Sequence, residues 1–246
     1  MARESALWTA AFIGLHIICR WLSQLLFPTY TQLSAPDKAY WASSIVSTVN
    51  AVVVATVAIY AFTSEPGFSP LANDLYRASP QVPAWGSFFV GYLTADLLAV
   101  CMHWNVWSGN LATAVHHLTA IVAYWRILTG NFGHFHALTG WLLESTTPFV
   151  NQRWFFAKTG WDATLVYKVN GVVLVLAWLV LRIAVYGWGL MQRSSRQVME
   201  LDAFSAVIMY GAFAGGYLLQ LFWGYKLFRG LLKVLGLLGK PVKAKE

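Results

Sequence analysis

Two adjacent imidazoles, His116 and His117, stand inside an apolar run of the chain, and single ionisable residues interrupt three others: Asp96, Glu144 and Arg182. A charged group inside a bilayer is costly, so each of these residues calls for a partner or a function. An imidazole near neutral pH can serve as general base, acyl-accepting nucleophile or proton relay. Neighbouring residues on a helix point about 100° apart, so the two rings cannot address one atom. One is expected to face a chamber, the other an adjacent helix or a carboxylate. Asp96 or Glu144 could fix the tautomer of such a ring and raise its basicity. Asn50, Tyr167, Asn170 and Gln220 add neutral polar groups, and Arg20 a further cation.

The run that carries Glu144 continues through Ser145, Thr146, Thr147 and Pro148 to Arg153. Pro148 lacks a backbone donor, which predicts a kink below Glu144, with the freed carbonyl met by Ser145, Thr146 or water. Arg153 is expected at headgroup level, where it could grip a phosphate or extend to the interface. The six histidines (His16, His103, His116, His117, His134 and His136) lack the repeated spacings of a histidine-rich membrane metal centre. No metal is expected, since a tight site needs convergent ligands.

Such side chains need elements to hold them, and composition decides which. The 246 residues are 58% hydrophobic and 11% charged. Soluble domains carry about a quarter charged residues, too many for this chain to match as a water-soluble fold. With lipid as solvent, at roughly 20 residues per span, the length suits about six or seven helices. Seven apolar stretches can be marked, at about 6–27, 41–62, 84–104, 110–128, 133–152, 164–188 and 203–226. None alternates like a barrel strand, so helices are expected. The first is read as a retained helix, because it is too long and aromatic for a cleaved leader. The connection over 63–83 holds Pro66, Pro70, Pro80 and Pro83 and reads as a surface loop.

The expected fold is therefore an all-α membrane protein, a bundle of about seven transmembrane helices forming one domain over 1–246. Lys38, Arg153, Lys158, Lys168 and a basic tail over 227–246 fall on one side, and Arg3, Arg77, Arg193 and Arg196 on the other. The Lys-rich side is expected to be cytosolic, which puts the N-terminus in the lumen and the C-terminus in the cytosol. The tail, with Lys226, Arg229, Lys233, Lys240, Lys243 and Lys245, suits anionic headgroups rather than nucleic acid. Cys19 and Cys101 lie in apolar runs and suggest no disulfide framework.

Depth links the polar residues. At 1.5 Å per residue, Asp96, the His116–His117 pair and Glu144 each come out roughly 10–12 Å below the Lys-rich face. Asn50, Asn170, Gln220 and Arg20 fall at about 9–14 Å, while Arg182 is expected nearer the opposite face. A polar chamber is the functional reading of this layer. The bland alternative is a network of interhelical hydrogen bonds.

The His116–His117 pair, the block from Glu144 to Arg153, and Tyr167-Lys168-Val169-Asn170-Gly171 followed by Arg182 resemble the TLC-domain family, over about 40–230. The closest look is to its short, poorly characterised branch, and more distantly to the ceramide synthases. The resemblance implies an endoplasmic-reticulum membrane protein of lipid synthesis, sensing or transport, with membrane lipids as partners. In ceramide synthases the paired histidines and nearby acids serve acyl transfer from acyl-CoA to a sphingoid base. His116 and His117 match that pair, but after His117 the next carboxylate is Glu144. A His-dependent acyltransferase with acyl-CoA as co-substrate, and no other cofactor, is one reading. A non-enzymatic lipid-binding, composition-regulating or cargo-sorting protein is the second. A transporter would call for paired broken helices, and none is seen.

Overall fold

A computed structural model describes residues 1–68, 75–191 and 200–237. The described residues are helical wherever an apolar stretch was marked. Helix α1 spans Ala2–Leu26, followed by a single turn, α2, over Pro28–Thr31. Then come α3 (Ala35–Ser64), α4 (Gln81–Met102) and α5 (Asn110–Gly130). Next are α6 (His134–Leu143), a 3₁₀ turn at Glu144–Thr146 and α7 (Thr147–Lys158). Helix α8 (Leu165–Ala177) runs into a π-helical stretch, Trp178–Val185, and on into α9 (Tyr186–Met191). The last helix, α10, is Ala203–Val234.

Among the described residues five helices are long and apolar enough to cross a membrane: α1, α3, α4, the continuous Leu165–Met191 rod and α10. The two rods that fall short carry the chemistry. Helix α5 has 21 residues, but His116 and His117 dilute its apolar character. The next rod is divided at Glu144 into pieces of 10 and 12 residues.

Caps, rather than hydropathy, fix several helix ends. Ser34 accepts the amide of Asp37, Thr164 that of Tyr167, and Asp202 that of Ser205, each satisfying a first-turn donor. Helix α3 therefore begins at Ala35, ahead of the expected 41, and Pro83 lies in the first turn of α4 rather than in the loop. Helix α10 runs on to Val234, past the expected 226, and carries Lys226, Arg229 and Lys233. Pro70, Arg193, Arg196, Lys240, Lys243 and Lys245 lie outside the described residues.

The helices form a closed ring. Helices α1 and α3 pack on α4, α4 on α5, α5 on α10, and α10 on α8 and the π-helical stretch. Helix α8 packs on α7, and the divided α6–α7 rod returns to α3. Small residues let backbones approach, as is usual where lipid removes the hydrophobic drive between helices. A Cβ at Gly91 of α4 would stand 2.4 Å from the Cβ of Trp8 on α1. Between α4, α5 and α6 the core is aromatic, with the Tyr124 and Trp141 rings stacked at 6.0 Å.

Contacts sort the bundle into two ends. At one, Ser87 of α4 bonds Glu4, and the end of α5 meets the start of α10. At the other, Lys158 bridges to Asp37 and the Trp107 indole donates to the Pro36 carbonyl. The α5–α10 junction is a clamp: Arg126 donates from Nε to Ser205 and from Nη2 to Asp202. The Ser205 hydroxyl and amide, with Arg126, hold the Asp202 carboxyl well below the usual carboxylate range.

A carboxyl lowered in the folded state stabilises above its unfolded pKa and loses that contribution as pH falls through its folded one. Asp202→Ala is therefore expected to melt below wild type near neutrality. Thermal melts in detergent across pH should show the gap narrowing as pH drops below about 4, the ordinary Asp value.

Candidate functional site

Helix α5 divides its two histidines. His117 turns toward α4, where its Nε2 lies 2.9 Å from Asp96 Oδ2. Its Nδ1 lies 3.0 Å from the Thr113 carbonyl, which only accepts, so this contact assigns a hydrogen to Nδ1. The Nε2–Oδ2 contact then shares one further proton, and both ring nitrogens are engaged. Asp96 is held from behind by the Ser43 hydroxyl of α3 at 2.6 Å. The expected carboxylate partner of the pair is thus Asp96, and it serves His117 alone.

His116 points the other way, about a quarter-turn round the helix. Its ring packs edge-on to His117 at 5.7 Å and to Trp223 of α10 at 5.5 Å. It makes no hydrogen bond among the described residues, and it lines a cavity of about 680 Å³.

The floor of that cavity holds a second buried pair. Arg182, only 5% exposed, donates from Nε to Thr146 (2.7 Å), from Nη1 to Gln220 (3.1 Å) and from Nη2 to Glu144 (3.4 Å). Its guanidinium stacks over Trp178 at 4.6 Å, and the Trp178 indole donates to the Gln220 carbonyl. Glu144 also accepts from Thr147. The depth reading of Arg182 is corrected here: it belongs to the layer. Cβ atoms tilt toward a helix N-terminus, so its long side chain reaches back several ångströms from its own backbone. The π-helical stretch gives it a facing that a regular 3.6-residue count does not anticipate.

The predicted break near Pro148 falls at Glu144 itself. The 3₁₀ turn there is braced by Ser145 and Thr146, which donate to the carbonyls of Leu142 and Leu143. Pro148 takes an early position in α7, where its missing donor matters little. The turn aims Glu144 at Arg182, across the cavity floor.

Other predicted residues lie outside this cluster. Asn170 donates to the Phe149 carbonyl, tying α8 to α7. Arg153 donates from Nε to Tyr167 at 3.2 Å, beside the Lys-rich end. Asn50 is wholly buried on α3, and its amide has no partner among the described residues. Arg20 is exposed on the outer side of α1 and takes no part in the layer. Sequence reasoning missed Ser43, the contact of Thr146 with Arg182, and the nest of Ser44, Ser47 and Thr48 that accepts from Asn151. The run of hydroxyls at helical spacing along α3 was the available signal.

Above the floor the cavity is apolar. Thr119, Tyr124, Tyr186 and His136 are its other polar side chains, and the two tyrosines donate to backbone carbonyls of Ala137 and Phe213. Its outer wall is the α5–α10 seam, fastened by the Arg126 clamp at one end and by the His116–Trp223 contact at the other. Between these points α10 presents Gly211 and Gly215, where an added Cβ would meet nothing within 4 Å. Exposed Val115 and Leu218 flank the gap, so the cavity faces the lipid side of the bundle.

Fold and site together define an integral membrane protein, all-helical over its described residues, built round a lipid-facing cavity with a buried polar floor. The sequence matches the family profile for the TLC domain over residues 40–229, and the chain belongs to the TLC-domain family. It is 28% identical over 242 residues to TLC domain-containing protein 4-A of Xenopus laevis, covering 92% of this chain and 90% of that protein. Against TLC domain-containing protein 4-B of Xenopus laevis the identity is 33% over 184 residues, 69% of this chain and 64% of that protein. Protein CLN8 of Homo sapiens is 28% identical over 181 residues, 70% of this chain and 61% of that protein.

Removing one member of a buried ion pair strands the other, at a cost of about 3–5 kcal/mol, whereas removing both is far milder. Arg182→Met should destabilise by about that amount, and the double variant Glu144→Gln/Arg182→Met should recover much of the loss. Unfolding followed by tryptophan fluorescence in detergent measures both.

Proposed function

We propose that the cavity receives a lipid acyl chain and that His116 acts at its polar end, as the general base of acyl transfer from acyl-CoA to a lipid acceptor. The observation that carries this reading is an imidazole with no hydrogen-bond partner among the described residues, lining a 680 Å³ apolar cavity together with Glu144, Arg182 and Gln220. In the reaction, an acceptor hydroxyl or amine attacks the thioester carbonyl while His116 takes its proton. The carbon–sulfur bond breaks, and the CoA thiolate leaves and is protonated. Arg182 and Glu144 offset each other's charge, which suits a floor facing apolar chains. His117, held by Asp96 and Thr113, fixes the helix face from which His116 projects.

The same reading places the chain in the endoplasmic reticulum as one domain, with all seven rods crossing the membrane. Helix α5 would span roughly 31 Å at 1.5 Å per residue, and the divided rod is longer still. The Lys-rich end would face the cytosol and the N-terminus the lumen.

One observation favours a second, non-enzymatic reading, in which the cavity binds lipid and sets membrane composition or sorts cargo. Glu144 is committed to Arg182 and Thr147, so among the described residues no carboxylate orients the His116 ring.

Proteoliposomes supplied with radiolabelled acyl-CoA and a panel of amine and lyso-lipid acceptors separate the two. Acyl transfer predicts product from wild type and a loss of about 100-fold or more in His116→Ala. Gly215→Leu, which fills open space in the seam, should also lose product without loss of fold. Product that survives His116→Ala would refute the catalytic role. No wild-type product, with lipid retained equally by His116→Ala, would leave the binding reading standing.

A further inference from the structure

A second polar cluster lies apart from the cavity, at the Lys-rich end of the bundle. Arg153 of α7 crosses to α8, where its Nε donates to the Tyr167 hydroxyl and its guanidinium lies 5.6 Å from the Tyr167 ring centroid. Tyr167 is buried, so the guanidinium rests on a fixed platform. Its Nη1 and Nη2 have neither a hydrogen-bond nor an ion-pair partner among the described residues. Burying most of an arginine while leaving two nitrogens of its fork unspent is an unusual expense for snorkelling alone, which needs no platform.

The surroundings are cationic. Lys168 lines the same small cleft, and Lys233 of α10 lies one turn beyond Gly230, whose built Cβ would stand 3.3 Å from Arg153 Nη2. Of the carboxylates of this end, Asp37 is bound by Lys158, and neither it nor Asp162 pairs with Arg153 among the described residues. The cleft between α7, α8 and α10 has room for about 10 Å³, close to what one water or one phosphate oxygen fills. Leu227 and Leu231 form its apolar wall.

From this geometry we infer that Arg153, seated on Tyr167 and assisted by Lys168, binds a phosphate ester at the Lys-rich face of the bundle. The planar fork offers paired N–H donors to two phosphate oxygens, a geometry that lysine cannot reproduce. The phosphate can belong to a phospholipid headgroup or to a soluble carrier such as coenzyme A. In either case the ligand is held by its anionic end, outside the His116 cavity. The inference does not require that His116 be catalytic.

The test uses the full chain purified in detergent and native mass spectrometry with three probes: phosphatidic acid, phosphatidylcholine of the same chains, and coenzyme A. Wild type should retain phosphatidic acid over phosphatidylcholine, or retain coenzyme A. Arg153→Gln should weaken that retention about tenfold, the loss of one charge-assisted contact, with Arg153→Lys intermediate. Gly230→Leu, which crowds Nη2 from the opposite helix, should act in the same direction and serves if Arg153→Gln does not fold. Arg3→Gln, a charge removed from the other end, should match wild type. Whichever probe loses retention identifies the source of the phosphate. The inference is overturned if wild type binds neither anionic probe, if Arg153→Gln and Gly230→Leu bind as wild type does, or if Arg3→Gln loses as much.

Discussion

A charge drawn into a bundle that faces hydrocarbon must meet its counter-charge inside that bundle, because no water is there to solvate it. In this protein that constraint is met twice, by Asp96 with His117 and by Glu144 with Arg182. Each pair joins rods that follow one another in the chain, α4 to α5 and the α6–α7 turn to the π-helical stretch. Ser43, Thr146 and Gln220 complete their hydrogen bonds and draw in α3 and α10. One network ties α3, α4 and α5, the other the α6–α7 turn, the π-helical stretch and α10, and α1 enters neither.

The two pairs also decide what is left over. With His117 spent on Asp96, its neighbour His116 is the imidazole that remains uncommitted, and the helical twist aims it at the cavity. With Glu144 spent on Arg182, the cavity floor is polar without carrying a lone charge. Glycines along α10 keep the seam with α5 open between its two fastenings. The outcome is an apolar space that communicates with lipid and ends on an available base.

Much of this was legible from residue types. Counting rise along apolar runs singled out Asp96, the histidine pair and Glu144, and the 100° step between neighbours predicted the split of that pair. The family resemblance rested on three blocks in order, and the match over 40–229 establishes it. What stayed hidden depended on side-chain reach and local helix geometry. Arg182 was placed too far from the layer because backbone depth ignores the backward tilt of a long side chain. Arg20 was counted in because rise alone says nothing of facing, and α1 turns that face outward. Which carboxylate would meet His117 was likewise undecidable from depth, since rise along the apolar runs gives Asp96 and Glu144 similar heights. The cavity itself has no linear signature: its walls come from five separated segments.

The account stands on His116 being accessible from the cavity while His117 is locked. Histidine carbethoxylation of the full chain in proteoliposomes, read residue by residue by tandem mass spectrometry, tests this directly. Modification should accumulate at His116, slow when a long-chain lipid analogue fills the cavity, and leave His117 untouched unless Asp96 is replaced by Ala. Equal modification of both rings, or preference for His117, would contradict the division of the pair on which the rest is built.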